Sequence, residues 1–304
     1  DAIKFIVEDG RTLEHSPQTL AWMAGFHDHV ESVNPDALLV GEVWSNTELA
    51  ARYVDEQSDL VFEFELAESI IRSATFGLPS STLGQLELMM LAYPAGQYAT
   101  FVTNHDQNRV VSQLNGDRGA ARNAANIYLT LPGVPFIYYG EEIGMVGTKP
   151  DPDIRVPMQW SAEANAGFST DDELWRPVNP DYTEVNVAAQ DGDPDSLLNA
   201  YRSLVQTRNI SPALQSGDFV AVESEENNVM AFLRQHPEQT VLVVLNLDDE
   251  PVTDYALTLA ASDLTEATPL TLLGAGDAAP LEINADGGFS AYLPLAELPA
   301  HSAT

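Results

Sequence analysis

The sequence predicts an α/β chain in which strands and helices alternate to build a parallel sheet, followed by an antiparallel β-sandwich. Up to about residue 212, short apolar runs alternate with segments whose apolar residues recur at helical spacing, the pattern of βαβ units. From Gly217 onward the pattern changes to short alternating runs divided by Gly, Asp and Pro, as in a sandwich. At 304 residues and 44% apolar content there is room for one large domain and one small one, each with its own core. The expected boundaries are 1–212 for the α/β part and 213–304 for the all-β part.

The first helix opens at Ser16-Pro17, a serine cap followed by a proline in the first turn. Leu20, Met23, Ala24, His27 and Val30 then share a face until Asn34-Pro35 stops the run. Strands are expected at 37–43, 60–66, 99–103 and 135–139, and helices at 83–92 and 120–129. The stretch 148–195 is rich in Pro, Asp, Asn and Gly and carries Trp160 and Trp175. It is too long for an ordinary connection and reads as functional or as wrapping the domain edge. A helix at 196–208 presents Leu197, Leu198, Tyr201, Leu204 and Val205, and six strands follow at 219–222, 229–233, 241–247, 255–259, 270–273 and 289–293.

Composition narrows the function classes. Forty-six acidic against 13 basic residues give a net charge of -33, a field that repels phosphate backbones and excludes nucleic acid as a partner. No apolar run reaches the roughly 20 residues of a membrane span. With no cysteine, disulfides, zinc-thiolate sites and thiol nucleophiles are excluded. Only Lys4 and Lys149 accompany eleven arginines. Such a surface fits adaptation to salt, where screening relieves self-repulsion, and it fits lineage composition as well. The opening residues carry no basic-then-apolar leader.

The chemistry gathers at strand ends. One apolar run leads into Gly41-Glu42-Val43-Trp44, another into Thr103-Asn104-His105-Asp106-Gln107, and a third acid, Asp1, opens the sequence. Parallel strands of α/β barrels present catalytic side chains at their C-terminal ends, and glycoside cleavage uses two carboxylates flanking the scissile bond. Three acids so placed point to sugar chemistry. Plainer readings stand beside this one: Glu42 as a helix-capping acid, His105 and Asp106 as a surface pair, Asp1 as a disordered terminal residue.

With these placements the chain resembles the alpha-amylase family of glycoside hydrolases over almost its whole length. Asp1-Ala2-Ile3-Lys4 is similar to the end of the family's nucleophile segment, Gly41-Glu42-Val43-Trp44 to its acid/base segment, and Asn104-His105-Asp106-Gln107 to the segment whose His and Asp grip the sugar. Leu131-Pro132-Gly133-Val134-Pro135-Phe136 and the Tyr138-Tyr139-Gly140-Glu141-Glu142 beyond it resemble the eighth strand. Arg155-Val156-Pro157-Met158-Gln159-Trp160, with Ala166-Gly167-Phe168, resembles the following loop of bacterial alpha-amylases and oligo-1,6-glucosidases.

The resemblance implies a (β/α)8 TIM barrel, of which this chain carries about strands 5 to 8, and retaining hydrolysis of α-1,4-glucosidic bonds in α-glucans or maltooligosaccharides. Asp1 would attack the anomeric carbon and Glu42 would protonate the leaving oxygen, with Val43 and Trp44 supplying an apolar setting. Asp106 would accept sugar hydroxyl bonds that tighten toward the oxocarbenium-like transition state. Lys4, Trp44, Asn104, His105, Asp151 and Arg155 are the implied substrate-binding residues. Lys4-Phe5 stands where many members have Lys-His, which alters the acceptor side. For Asp151 and Arg155 a local salt bridge is the alternative. Trp44, Tyr139, Trp160 and Phe168 all offer rings that could stack on apolar sugar faces; stacking is the favoured reading for Trp44, and a core position for the other three. Glu141-Glu142 reads as a capping or structural pair, and His15, His27, His29, His236 and His301 as solvated or structural. No metal and no cofactor are implied.

The family's earlier strands are not in this sequence. Four strands alone would leave two sheet edges and half a barrel core open to water, so the chain is expected to pair with a complementary N-terminal fragment or to bury its open face in a homodimer. A free ammonium on Asp1 would place positive charge where the sugar cation forms, which argues against activity of the isolated chain. Two other readings stay open: an oligo-1,6-glucosidase or transglycosylase of the same architecture, and a catalytically silent carbohydrate-binding or assembly fragment.

Overall fold

Helix α1, Pro17–Val33, starts where the serine cap predicts: Ser16 Oγ accepts a hydrogen bond from the Thr19 N–H at 3.0 Å. The computed structural model describes residues 3–171, 173–265 and 267–304, so Asp1 lies outside the described residues. The chain divides into two units, one holding the described residues up to Ser69 with Thr82–Phe101 and Gly133–Phe136, the other Ile70–Ser81, Val102–Pro132 and Ile137–Thr304.

The first unit is organised by four short strands, β1 (Val40–Gly41), β2 (Leu60–Phe62), β3 (Tyr98–Thr100) and β4 (Val134–Pro135), all parallel and in that spatial order. Val40 pairs with Leu60, Val61 with Tyr98 and Ala99 with Val134. Each ladder is shorter than the apolar run that predicts it. The expected strand at 60–66 ends at Phe62, and Phe64–Phe76 forms helix α3. Alternation and helical spacing overlap in Leu60-Val61-Phe62-Glu63-Phe64-Glu65-Leu66, and Leu66, Ala67 and Ile70 settle the matter by being buried along one helical face. A short helix α2 (Thr47–Ala50) and helix α4 (Ser80–Ala92) complete the pattern.

Aromatic edges meet faces around the sheet: Phe62 against Phe101 at 5.3 Å and Phe136 at 4.8 Å, and Phe64 against Phe101 at 5.1 Å. The chain enters β4 through Gly133, whose φ is +102° and where a Cβ would come within 2.6 Å of the Tyr98 ring.

In the second unit, helix α5 (Val110–Gln113) leads to α6 (Arg118–Thr130), capped by Asp117 Oδ1 accepting from the Ala120 N–H at 2.9 Å and buried along nearly all its length. Its C-terminal carbonyls, which have no partner within the helix, are taken by two buried arginines. Arg208 donates to Leu129 O at 3.0 Å and Leu131 O at 2.8 Å, and Arg234 to Thr130 O at 2.7 Å. Short helices α7 (Asp151–Ile154) and α8 (Val187–Asp191) punctuate the long segment 148–195, before α9 (Leu197–Ile210) and α10 (Pro212–Ser216).

The last strands are β5 (Asp218–Ser224), β6 (Val229–His236), β7 (Gln239–Asn246), β8 (Leu257–Ala261) and β9 (Gly287–Tyr292). They are linked by antiparallel pairing in the order β7-β6-β5-β8-β9, with β5 pairing to β6 through Asp218–Val222 and to β8 through Glu223–Ser224, and residues 270–273 are not a strand. Val229 to Arg234 of β6 are buried on both faces. One face carries the cluster of Val222, Ala231, Tyr255, Leu257 and Phe289, with Leu264 and Leu281 of the intervening loop against it. Helices α6 and α10 contact β6 and β7. Among the described residues no helix is long and apolar enough to cross a membrane.

Candidate active site

The loop after β3 is built by its own short polar residues. Asn104 Oδ1 accepts from the Asp106 N–H at 2.9 Å, an Asx turn, and Thr103 Oγ1 donates to Asn108 O at 2.8 Å. Arg109, buried, donates its backbone N–H to Gly147 O at 3.0 Å and its Nη1 to Tyr139 O at 2.6 Å. Its guanidinium carbon lies 4.8 Å and 4.6 Å from the ring centres of Tyr138 and Tyr139. Lys149 N donates to Asn108 Oδ1 at 2.7 Å. These bonds stitch the loop after β3 to the segment beginning at Gly147.

That stitching brings five of the predicted residues together. Arg155 donates Nε to His105 O at 2.8 Å and Nη2 to Asp106 Oδ1 at 2.5 Å, while His105 Nε2 lies 3.6 Å from Asp106 Oδ2. Asp151 sits 3.6 Å from Arg155 Nη2 and 2.9 Å from Lys149 Nζ. The hydrogen bond from Lys149 and the charges around it hold the Asp151 carboxyl below the usual aspartate range. Asn104 orients the turn. The result is a half-exposed carboxylate with one oxygen fixed by a guanidinium, beside an exposed imidazole, an arrangement that offers acceptors and donors to a polyhydroxylated ligand.

Glu42, Trp44 and Lys4 belong to the other unit. Glu42 follows β1 directly and is half-buried, next to the fully buried Val43. The Trp44 ring is exposed on one side and stacks on Phe64 at 4.8 Å with a 10° interplanar angle. Lys4 donates Nζ to Trp44 O at 2.8 Å and pairs with Glu14 at 2.9 Å. Asp1 lies outside the described residues.

One expectation is corrected. Tyr139, Trp160 and Phe168, for which a core position is the favoured reading, are 39%, 50% and 50% exposed; the turn that carries Trp160 and Phe168 is held by backbone bonds such as Trp160 N to Ala166 O (2.9 Å) rather than by burying its rings.

Among the described residues two acids are buried, Glu63, which sequence reasoning passes over, and Glu141, which it reads as a capping or structural acid. Glu63 accepts from Thr47 Oγ1 at 2.8 Å and Tyr93 Oη at 2.6 Å, and burial pushes its carboxyl up. Glu141 accepts from Tyr128 Oη at 2.5 Å and Tyr201 Oη at 3.3 Å, and burial pushes it up to about 8. A glutamate inside an apolar run is the only signal for either. Of the histidines, His15 lies between Tyr53 Oη (3.1 Å) and Ser45 Oγ (2.9 Å), and His301 Nδ1 meets Asn123 Nδ2 at 3.0 Å. Among the described residues no group of three or more His, Cys, Asp or Glu is arranged to hold a metal ion.

Residues 4–217 match the family model of the alpha amylase catalytic domain, and residues 219–285 that of the maltogenic amylase C-terminal domain. Alpha-amylase 3 of Dictyoglomus thermophilum is 32% identical over 256 residues, 82% of this chain and 49% of that protein. The probable oligo-1,6-glucosidase 2 of Bacillus subtilis is 27% identical over 282 residues, 74% of this chain and 50% of its own length. The crystal structure of the alpha-amylase from H. orenii aligns with a TM-score of 0.78 at 35% identity, covering 97% of this chain and 59% of that one. Eubacterium rectale Amy13B shares the fold, with a TM-score of 0.69 at 24% identity over 99% of this chain and 57% of its own. The chain spans about half the length of the curated relatives it matches. By the match over residues 4–217 and the identity to relatives across most of its length, this chain belongs to the alpha-amylase family.

Proposed function

We propose that the chain serves retaining hydrolysis of α-1,4-glucosidic bonds in α-glucans, with Asp1 as nucleophile, Glu42 as acid/base and Asp106 as the acceptor that holds sugar hydroxyls through the transition state. The observation that carries this reading is the Asp106 carboxylate anchored by Arg155 at 2.5 Å beside His105, in a family whose named members here include an amylase. Anchoring one oxygen leaves the other to accept hydroxyl bonds that strengthen as the ring flattens. Lys4, Trp44, Asn104 and Asp151 contact substrate in this reading, directly or by orienting those that do.

The same proposal takes β1 to β4 as strands 5 to 8 of a (β/α)8 barrel, with 1–212 as its catalytic part and 213–304 as the C-terminal domain. β1 and β4 are the outer strands of the described sheet, and outer strands recruit pairing partners. A complementary N-terminal segment or a second copy is the proposed cover. Light scattering at micromolar concentration tests it: a well-folded monomer would refute it.

An oligo-1,6-glucosidase is the second reading, favoured by the Bacillus subtilis relative. Product analysis on starch, maltotriose and isomaltose separates the two. Loss of turnover in Glu42→Gln and Asp106→Asn is expected under either. Oligosaccharide binding without turnover in the wild type would instead identify a silent binding module.

A further inference from the structure

Phe64 lies against the Trp44 ring, and the residues flanking it, Glu63 and Glu65, both bind Thr47. Glu65 Oε2 accepts from the Thr47 N–H at 2.7 Å, and Glu63 Oε1 accepts from Thr47 Oγ1 at 2.8 Å. Three consecutive residues at the junction of β2 and α3 therefore hold the segment 42–47 at two places, its aromatic ring and its far end. The near end is fixed as well, since β1 pairs with β2 up to Gly41 opposite Val61 and Val43 is fully buried. Between the ends, Lys4 Nζ donates to Trp44 O at 2.8 Å and His15 Nε2 lies 2.9 Å from Ser45 Oγ.

Glu63 is the costly member of this clamp. It is 1% exposed, burial disfavours its charge, and its second oxygen accepts from Tyr93 Oη at 2.6 Å. Thr47 Oγ1 accepts in turn from Gln85 Nε2 of α4 at 2.6 Å. Apolar side chains would fill the same space without the desolvation cost, so packing alone does not account for an acid here. A satisfied buried network does what apolar packing does not: each bond has a direction, and together they fix one arrangement. The arrangement fixed here is that of the segment following β1.

We propose that Glu63, Phe64 and Glu65 are positioning residues that aim Glu42 at the leaving oxygen, acting through Thr47 and the Trp44 ring. The inference rests on Glu42 being the acid/base, as proposed above. In that step the glycosidic C–O bond breaks as Asp1 attacks, its electron pair goes to the leaving oxygen, and the Glu42 proton joins that oxygen. Proton transfer needs the carboxyl within hydrogen-bond reach, and a misplacement of about 1 Å can cost about 100-fold in rate. Glu42 lies a few residues from both anchors, so slack at either one reaches it through the intervening backbone.

Cleavage kinetics of the full chain separate aim from mere stability. Maltoheptaose needs its leaving oxygen protonated, whereas α-maltosyl fluoride expels fluoride with little help from an acid, and kcat/KM reports the steps up to bond cleavage. Thr47→Val deletes the hydroxyl that reaches Glu63 at nearly constant volume. It is expected to lower kcat/KM about tenfold on maltoheptaose and less than about twofold on the fluoride, with Thr47→Ser restoring the loss. Equal losses on both substrates, or none on either, overturn the positioning role. Glu42→Gln is expected to show the same selectivity more strongly. Without that selectivity the acid/base reading falls, and the aiming role with it, whereas equal losses in Thr47→Val beside a selective Glu42→Gln overturn the positioning alone. Quenching by neutral acrylamide supplies a readout that needs no turnover, on a chain carrying Trp22→Phe, Trp160→Phe and Trp175→Phe so that Trp44 alone emits. Thr47→Val is expected to raise its quenching constant about twofold as the ring loosens. An unchanged constant overturns the clamp, and a wild type that cleaves neither substrate overturns the hydrolytic reading while the quenching still decides the clamp.

Discussion

Glu141 is enclosed by Tyr128 and Tyr201, both donating to Oε1, while its Oε2 finds no acceptor or donor among the described residues. Burial outweighs the neutral donors that would favour an ionised carboxylate there, the two tyrosine hydroxyls and the Tyr138 backbone, and its neighbour Glu142 adds like charge. The folded state therefore keeps a proton, with the carboxyl pushed up to about 8 from an ordinary value of 4.5. Between those two values the unfolded chain has released the proton and the folded chain has not, so rising pH favours unfolding. The contribution is complete below 4.5, falls by up to about 1.4 kcal/mol per pH unit, and is gone above the folded value. Glu141→Gln keeps an acceptor for both tyrosines and is predicted to flatten this fall. Urea denaturation at pH 5 and pH 8 checks it, and equal slopes for variant and wild type would refute it.

At the scale of elements, Gly133 decides how the chain passes from α6 into β4. Gly133→Ala would press a methyl group against Tyr98 at a φ that alanine resists, and should cost about 2 kcal/mol, read from the denaturation midpoint. Helices were the most legible elements. Ser16 and Asp117 announce α1 and α6, and Ser196 caps α9, because a side-chain oxygen facing an unpaired N–H is a local matter that three or four residues settle. Strand extent is not local. Val61 pairs with Tyr98 across 37 residues, and no neighbour in sequence reports where that ladder stops. For the same reason α3 is hidden inside an apparently alternating run. The site divides likewise. Asn104, His105 and Asp106 are visible as a polar burst after an apolar run, and Arg155 through its family motif. The exposed rings of Trp160, Phe168 and Trp175 are not visible, since an aromatic residue in a loop looks the same whether it points inward or out.

On the scale of the whole molecule, charge dominates. Forty-six acids against 13 bases leave most carboxylates without a cation, and their mutual repulsion is felt more by a folded chain than by an expanded one. Salt shortens its reach from about 10 Å at 0.1 M to about 3 Å at 1 M. Thermal unfolding is therefore expected to move upward by roughly 5 °C or more between low and molar salt, and a steady decline would show that screening is not what this surface needs.

The arginines closing α6 govern how the second unit comes apart. One is on α9 and the other on β6, yet both seat their guanidinium groups on the last carbonyls of the same helix. Detaching the sheet would therefore unseal a helix end lying deep in its neighbour, so melting of one entails melting of the other. Differential scanning calorimetry should record a single endotherm across α6, α9 and β5 to β9, and proteolysis after Gly217 should release pieces that do not survive apart.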